Sequence, residues 1–213
     1  FLINKNYEVI GGAKNINPKR LWRLKELNLL NRLKIINFNL INNKNVDQII
    51  KNGQFNEIYN LGAQSSVNES FINPIHTSNV NALGTIRILE AIKTLSKQTK
   101  FYQASTSEMF GNVKSKFFDE KTSFQPISPY AVSKLNAHWM INLYREAYGL
   151  FCCSGILFNH ESPLRSEEYV SKKIISELIK VKYNKSKYFT LGNIYAQSDW
   201  GYAEDYVEAM WKM

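Results

Sequence analysis

The sequence has few cysteines and no long apolar run. Its two cysteines, Cys152 and Cys153, are adjacent within an apolar stretch, which favours burial as small hydrophobic side chains over a disulfide or a metal site. No apolar stretch is long enough to span a bilayer, and residues 1–5 lack the organisation of a signal peptide. We therefore expect a cytoplasmic protein that holds no metal ion and has no membrane partner.

Acidic residues are also scarce, because 18 of them stand against 27 lysines and arginines and leave a formal net charge of +9. Such an excess suits an anionic partner, whether nucleic acid, a membrane surface or a phosphorylated small molecule. No long Lys/Arg block is present, however, and the basic residues are scattered among Asn and Ile. This favours a solvated basic surface over a nucleic-acid site, so we expect no nucleic-acid partner.

The apolar pattern alternates between short β-type runs and longer helical segments, which is typical of βα units that build a parallel sheet. With 213 residues and 44% hydrophobic composition, one principal α/β domain is expected. Strands are predicted at residues 7–11, 33–38, 57–61, 100–105, 150–157 and 188–191, and helices at 46–51, 77–95, 130–148, 170–183 and 202–213.

A glycine-rich phosphate-binding turn is missing. Sheets that bind dinucleotides normally open with a strand, a turn of the G-x-G-x-x-G kind and a helix that holds the pyrophosphate. Residues 1–6 look instead like the end of that helix, running into a second strand at 7–11. The expected fold is a Rossmann-type doubly wound parallel sheet that lacks its first strand and Gly-rich loop.

Tyr130 and Lys134 lie four residues apart at the start of a predicted helix, in the segment SPYAVSK (128–134). This spacing puts the phenol and the ammonium on one helix face. A neighbouring cation favours the phenolate, so the phenol can exchange a proton with a substrate hydroxyl near neutral pH. Alone, the pattern is more often structural than catalytic, and its surroundings must decide.

Those surroundings include FYQASTSE (101–108), a buried-type strand that becomes polar at its carboxyl end, where open α/β sheets bind ligands. Taken separately, Thr106 would be a turn former and Glu108 a surface acid. Thr106 and Glu108 precede Tyr130 and Lys134 by a single strand-to-helix connection. All four side chains are therefore expected to face one crevice.

Two further segments end predicted strands with polar groups. NLGAQS (60–65) contains Gly62, which permits close approach of the backbone to a cofactor. LFNHESP (157–163) carries side chains able to hold ribose, nicotinamide amide or sugar hydroxyls. A single histidine such as His160 more often has a structural role. It becomes a candidate site residue here because its neighbours in this segment are polar as well.

These four segments, in this order and spacing, resemble the GDP-mannose 4,6-dehydratase family of extended short-chain dehydrogenase/reductases. The similarity covers about residues 7–213 and is densest at 58–163. YQASTSE and LFNHESP are much more specific than the Tyr-x-x-x-Lys pair. They indicate this family rather than short-chain dehydrogenases in general.

The resemblance implies conversion of GDP-D-mannose to GDP-4-dehydro-6-deoxy-D-mannose through an internal redox cycle with NADP. Tyr130, supported by Lys134 and Thr106, would take the proton of the 4-hydroxyl. Glu108 would remove the C5 proton and assist loss of water from C6. An epimerase or 4-keto reductase needs no such second acid/base, so these activities rank behind the dehydratase.

The resemblance also implies two sets of binding residues. The family has an Arg pair that binds the 2′-phosphate, an Asp at the adenine and a Tyr that contacts the cofactor. This chain has Lys14-Asn15, Asn39 and His76 at the corresponding positions, so NAD is considered as a cofactor beside NADP. The implied cofactor residues are Lys14, Asn39, Leu40, Leu61, Gly62, Ala63, Gln64, Ser65, His76, Lys134, His160 and Arg165, and the substrate residues are Ser65, Ser107, Asn159, Glu161, Ser162 and Lys173.

By the same resemblance, residues 1–159 form a partial NAD(P)-binding Rossmann domain and 160–213 a partial substrate-binding region that is incomplete at its C-terminus. The full-length form would be a homodimer or homotetramer. Two interpretations stay open: part of a longer active enzyme, or a degraded paralogue that retains only nucleotide-sugar binding or oligomerisation.

Overall fold

A computed structural model describes residues 1–115, 117–195 and 197–213. The chain divides into two compact units, Phe1–Leu157 and Phe158–Lys212, and each is described by itself.

Within residues 1–115 and 117–157, the first unit contains five parallel strands in two sheets. Strand β1 (Ile10–Ala13) pairs with β2 (Lys34–Asn37). The second sheet has the order β3 (Glu57–Asn60), β4 (Lys100–Thr106) and β5 (Cys152–Leu157). All pairs are parallel, as the alternation of strand and helix patterns predicts.

The strand order explains why there are two sheets. A doubly wound dinucleotide-binding sheet has the order 3-2-1-4-5-6, and the observed strands match 3-2 and 4-5-6 with the central position empty among the described residues. The Tyr7 hydroxyl, just before β1, donates to Glu57 Oε1 at the start of β3 over 3.3 Å. The prediction of a Rossmann-type sheet without its first strand and Gly-rich loop is confirmed.

Helices connect these strands and begin at residues suited to that position. Asn42, Ser66 and Ser128 each accept a hydrogen bond from a backbone N–H of the first turn, which satisfies a donor that the helix itself cannot. The α-helices of this unit are α1 (Trp22–Glu26), α2 (Asn43–Gly53), α3 (Val67–Ile72), α4 (Pro74–Ser78), α5 (Gly84–Leu95) and α6 (Pro129–Tyr148), with 3₁₀ turns at Ile3–Lys5, Pro18–Leu21 and Ser107–Phe110 and a π-helical turn at Asn79–Leu83.

Several boundaries differ from the sequence prediction. Strand β1 begins at Ile10 instead of residue 7, and the short helices α1, α3 and α4 were not predicted because each is too short to show a helical period. The helix predicted at 77–95 is interrupted by the π-helical turn, which joins α4 to α5. Such turns disturb the apolar period by less than one residue, so sequence patterns do not reveal them.

The core of the first unit lies between the strands and the packed helices α2, α5 and α6. Ile88 and Ile92 of α5, Phe101 of β4 and Ile141 of α6 are each no more than 1% exposed. Strand β4 is buried from its second residue to its last, which explains why its sequence is nearly continuous in apolar and small residues. This burial fixes the position of the polar residues at its carboxyl end.

In the part of the second unit that the structure describes, there are two short parallel strands and two helices. Strand β6 (Asn159–Glu161) pairs with β7 (Trp200–Tyr202), and helices α7 (Val170–Lys182) and α8 (Ala203–Lys212) agree with the predictions at 170–183 and 202–213. The strand predicted at 188–191 is wrong. These residues have no strand partner among the described residues, and Tyr188 is 77% exposed, so a short β-type run alone did not suffice there.

The core predicts a clear loss of stability on truncation. Ile88→Ala should lower the free energy of unfolding by about 2–5 kcal/mol, because the side chain is fully buried and leaves a cavity. Leu95→Ala, on the same helix with 41% of its residue exposed, is the matched control and should cost much less. Urea denaturation of both variants measures the difference, and equal losses would contradict the described core.

Candidate active site

The carboxyl end of β4 presents the first group of predicted site residues. Thr106 ends the strand, and its Oγ1 accepts a hydrogen bond from the backbone N–H of Glu108 over 3.3 Å. This cap starts the 3₁₀ turn Ser107–Phe110, which is anchored by the buried side chains of Met109 and Phe110. Glu108 is exposed, so its carboxylate is accessible while its backbone is held.

Helix α6 supplies the second group. Ser128 Oγ accepts from the Ala131 N–H over 3.1 Å, and Pro129 occupies the first turn, where its missing N–H costs nothing. Tyr130 is 9% exposed and Lys134 is 3% exposed. The predicted spacing of four residues therefore places both side chains on the inward face of the helix, which packs against β4 and β5.

The ammonium group of Lys134 is fixed to the sheet. Its Nζ donates to the carbonyl oxygen of Ala104 in β4 over 2.9 Å. Burial disfavours the charged form and lowers the pKa of Lys134 from 10.5 to about 8. At neutral pH the group remains a cation, held in a region of low polarity where its field acts on nearby groups with little screening.

The segment after β3 is held by side chains around it. The Gly62 N–H donates to Asn60 Oδ1 over 3.2 Å, and a Cβ at Gly62 would lie 3.1 Å from Leu40 Cδ1. Gln64 is fixed through its backbone, because its N–H donates to Asn81 Oδ1 and its carbonyl oxygen accepts from Asn81 Nδ2, both over 2.9 Å. Residues 61–65, which are predicted to contact the cofactor, thus form a loop whose backbone is held by hydrogen bonds. The loop lies next to Leu40, another predicted cofactor residue.

Sequence reasoning missed a buried polar layer that joins these parts. Asn81 Nδ2 also donates to Ser133 Oγ on α6 over 3.1 Å, and the layer continues through Thr85 and Gln103 to Asn60. All five residues are at most 6% exposed. The sequence feature that could have revealed this layer is the presence of polar residues within apolar stretches, above all Gln103 in β4.

The predicted cofactor residues near β1 and β2 are more scattered. Lys14 and His76 are exposed. Asn39 is part-buried and used locally: its Oδ1 accepts from the Ile41 N–H over 3.3 Å, and its own N–H donates to Asn45 Oδ1 over 2.7 Å. The side-chain amide of Asn39 stabilises the turn that precedes α2. The roles of Lys14, Asn39 and His76 in cofactor binding stay predictions.

The second unit holds the remaining predicted residues in contacts of their own. Glu161 Oε2 accepts from the Ser171 hydroxyl over 2.5 Å and lies 3.2 Å from Arg165 Nε, whose guanidinium stacks 3.6 Å above the ring of Tyr169. The other members are also engaged or exposed: Asn159 donates to the Asp199 carbonyl, His160 lies 3.0 Å from the Phe158 carbonyl oxygen, Ser162 caps Leu164, and Lys173 is exposed.

Two kinds of feature are not found within the ranges that the structure describes. No group of three or more His, Cys, Asp or Glu side chains is placed to hold a metal ion there. Nor does any described helix combine the length and apolarity needed to cross a bilayer.

Parallel strands in Rossmann order, with a buried Tyr-x-x-x-Lys pair beside β4, are typical of the fold of short-chain dehydrogenase/reductases. The model of the GDP-mannose 4,6 dehydratase family matches residues 1–213. The chain belongs to this family.

Individual relatives agree with the family assignment. The GDP-mannose 4,6-dehydratase of Vibrio cholerae is 44% identical over the whole chain, which covers 59% of that protein. The human GDP-mannose 4,6 dehydratase is 42% identical, again with 59% covered. That of Sinorhizobium fredii is 50% identical over 79% of this chain and 49% of its own length. The chain therefore spans about half to three fifths of the length of these relatives.

Solved structures support the fold. A dTDP-glucose 4,6-dehydratase from Streptomyces venezuelae, with NAD and DAU bound, has a TM-score of 0.80 at 19% identity, with 98% of this chain and 65% of that chain covered. RMD from Pseudomonas aeruginosa, complexed with NADPH, has a TM-score of 0.78 at 20% identity, with 95% and 72% covered. Both share the Rossmann-type sheet described above.

The burial of Lys134 predicts a specific pH dependence. A lysine with a pKa lowered in the folded state binds fewer protons there than in the unfolded chain, so its contribution to stability rises with pH between about 8 and 10.5. Lys134→Met removes this term. The stability advantage of the variant over the parent should be largest below pH 8 and should shrink towards pH 10.5.

Chemical denaturation of both proteins across this pH range measures that difference. Both chains carry Tyr130→Phe in this comparison, because the neighbouring phenol would respond to the loss of the Lys134 charge, and the remaining titrating groups are common to both chains and cancel. A difference that stays constant with pH would contradict a lowered pKa for Lys134.

Proposed function

We propose that this protein acts as a GDP-mannose 4,6-dehydratase, a hydro-lyase that converts GDP-D-mannose to GDP-4-dehydro-6-deoxy-D-mannose in the cytoplasm. The observation that carries the proposal is the buried Lys134–Ala104 bond. It fixes α6 against β4, the strand whose end carries Thr106 and the accessible Glu108. Family membership gives the substrate class, a nucleotide sugar.

The residues of the first unit suit a nicotinamide cofactor, for which we propose NADP, with NAD as the alternative. Lys134 has three N–H donors and one bond to the protein is described, to Ala104, so its ammonium has capacity for ribose hydroxyls. Gly62 and the braced backbone at Gln64 offer close approach to the loop after β3. When bound, the cofactor would take a hydride from C4 of the sugar and return it to C6.

Tyr130 is proposed as the group that moves the proton of the 4-hydroxyl. A phenol has a reference pKa near ~10 and is a poor base by itself. A cation on the same helix face stabilises the phenolate, and the Lys134 ammonium is held where solvent screens it little. Lys134 and Thr106 are proposed to assist Tyr130 in this role.

Glu108 is proposed as the acid and base of the elimination. Once C4 is a ketone, the C5 proton is acidified, and a carboxylate removes it while a carboxylic acid protonates the departing 6-hydroxyl. One exposed carboxylate on a held backbone performs both tasks in turn, since the proton gained from C5 is the proton needed at the oxygen on C6.

The remaining roles follow family resemblance. We propose that Ser65, Ser107, Asn159, Glu161, Ser162 and Lys173 bind GDP-mannose. We propose that Lys14, Asn39, Leu40, Leu61, Ala63, Ser65, His76, His160 and Arg165 contact the cofactor, and that the active form is a homodimer or homotetramer.

The direct test is incubation of the purified chain with GDP-mannose and NADP, followed by mass spectrometry of the nucleotide sugars. The expected product is lighter than the substrate by one water. Finding the substrate unchanged, together with calorimetry that detects neither ligand on the folded protein, would favour a decayed paralogue.

Tyr130→Phe should abolish the reaction at its first step. The variant keeps the aromatic ring but has no proton to exchange, so turnover should fall by roughly 10²–10⁴-fold. Tyr148→Phe, at the exposed end of the same helix, is the matched control and should leave turnover unchanged. Formation of NADPH in a single turnover measures the step, and normal formation by Tyr130→Phe would contradict the assignment.

Glu108→Gln should separate oxidation from dehydration. The amide cannot take the C5 proton, so a 4-keto sugar and NADPH should accumulate while loss of water slows by roughly 10²–10⁴-fold. Rapid quenching and mass spectrometry distinguish the 4-keto sugar from the 6-deoxy product. Normal dehydration by Glu108→Gln would remove this residue from the mechanism.

A further inference from the structure

Gln103 is a fully buried polar side chain in a strand that is buried from its second residue to its last. It lies in β4 and is 1% exposed. A buried amide is costly unless its donors and acceptor are hydrogen-bonded. Gln103 has three such contacts: its Nε2 donates to Ala104 within β4, and its Oε1 faces Asn60 in β3 and Thr85 in α5, so the side chain ties β4 to two neighbouring elements.

The first bond leads to the catalytic lysine. Gln103 Nε2 donates to the carbonyl oxygen of Ala104 over 3.0 Å, and the same oxygen accepts from Lys134 Nζ over 2.9 Å. One oxygen therefore holds two donors. Because the amide nitrogen of Gln103 occupies one side of this carbonyl oxygen, the ammonium of Lys134 must approach from another direction. Gln103 thereby helps to define the position of Lys134.

The second bond leads to the proposed cofactor loop. Asn60 Nδ2 donates to Gln103 Oε1 over 2.8 Å, and Asn60 Oδ1 accepts from the Gly62 N–H over 3.2 Å. The orientation of the Asn60 amide is thereby fixed at both of its ends. A change at Gln103 would release Asn60, and with it the backbone at Gly62.

The third bond leads to α5. Thr85 Oγ1 lies 3.2 Å from Gln103 Oε1 and 2.8 Å from the carbonyl oxygen of Asn81 in the π-helical turn. The Thr85 hydroxyl has one proton for these two acceptors, so Oε1 takes a full hydrogen bond from Asn60 in β3 and a shared one from Thr85 in α5. This arrangement holds the amide in one rotamer, with its nitrogen directed to Ala104.

We propose that Gln103 is a positioning residue that couples Lys134 to the cofactor loop around Gly62. The function of this coupling rests on the proposed nicotinamide chemistry, in which both groups contact the same cofactor. Gln103 itself touches neither cofactor nor substrate. It sets the distance between the ammonium and the loop by holding both through one amide.

The test compares Gln103→Met with Thr99→Val in the complete chain. Methionine keeps the length of the side chain and removes its hydrogen bonds. Thr99 is the matched control because it is also fully buried and donates to the Phe55 carbonyl over 2.7 Å, but it precedes the opposite end of β4. Both variants lose buried hydrogen bonds, and only one affects the site.

Two measurements need no cofactor. Acetylation of Lys134 by an N-hydroxysuccinimide ester, followed by mass spectrometry, reports its accessibility, and hydrogen exchange by NMR reports the Gly62 amide. In Gln103→Met both rates should rise roughly tenfold, because the bonds that hold these groups are lost. In Thr99→Val both should stay at the parent values. The dissociation constant for NADPH, from its fluorescence, should rise roughly tenfold in Gln103→Met alone.

Equal changes in the two variants, or unchanged rates in Gln103→Met, would overturn the proposal. Should Gln103→Met fail to fold, Thr85→Val removes one anchor of the amide and should give the same pattern with a smaller amplitude. If the parent chain binds no NADPH, the proposed function fails, while the acetylation and exchange rates still decide whether Gln103 couples the two groups.

Discussion

The hydrogen bond between the ammonium of Lys134 and the carbonyl oxygen of Ala104 is the constraint on which the site depends. A buried cation without a partner would be prohibitively costly, so α6 must cross β4 where this oxygen is available. Tyr130 is then placed one helical turn before the lysine, beside the end of the strand. The opposite burial of two ionisable groups fits their proposed tasks: Lys134 is enclosed and acts through its field, whereas Glu108 is exposed and can meet a substrate directly.

The sequence was informative where a pattern is local. Strands β2 to β5 and helix α6 were located within a few residues, because each has a clear apolar pattern and α6 also begins after the capping residue Ser128. The paired Tyr130 and Lys134 were selected by their spacing together with the polar strand end at 101–108. The strand predicted at 188–191 failed because a strand exists only through a partner, and a single run of residues contains no information about that partner.

The polar layer shows where sequence reasoning ends. The bond from Asn81 to Ser133 joins residues 52 positions apart, and that from Asn60 to Gln103 joins residues 43 apart. Nothing near Asn81 or Gln103 in the sequence indicates these partners. Both residues looked like isolated polar positions in apolar segments, and only the packing of α5 and α6 against β3 and β4 brings their amides together. Asn60 and Gln103 lie within the motifs NLGAQS and FYQASTSE, but a motif does not show which of its side chains bond to each other across the fold.

The division of the parallel sheet has a consequence for the behaviour of the chain in solution. Among the described strands, β1 bonds only to β2 and β3 only to β4, so each leaves one row of backbone N–H and C=O groups without a strand. Native sheets guard such edges with charges, prolines or bulges, but β1 reads Ile-Gly-Gly-Ala and has none of these within it. Each of these edges can therefore accept one further strand through backbone hydrogen bonds, whether that strand comes from this protein or from another molecule.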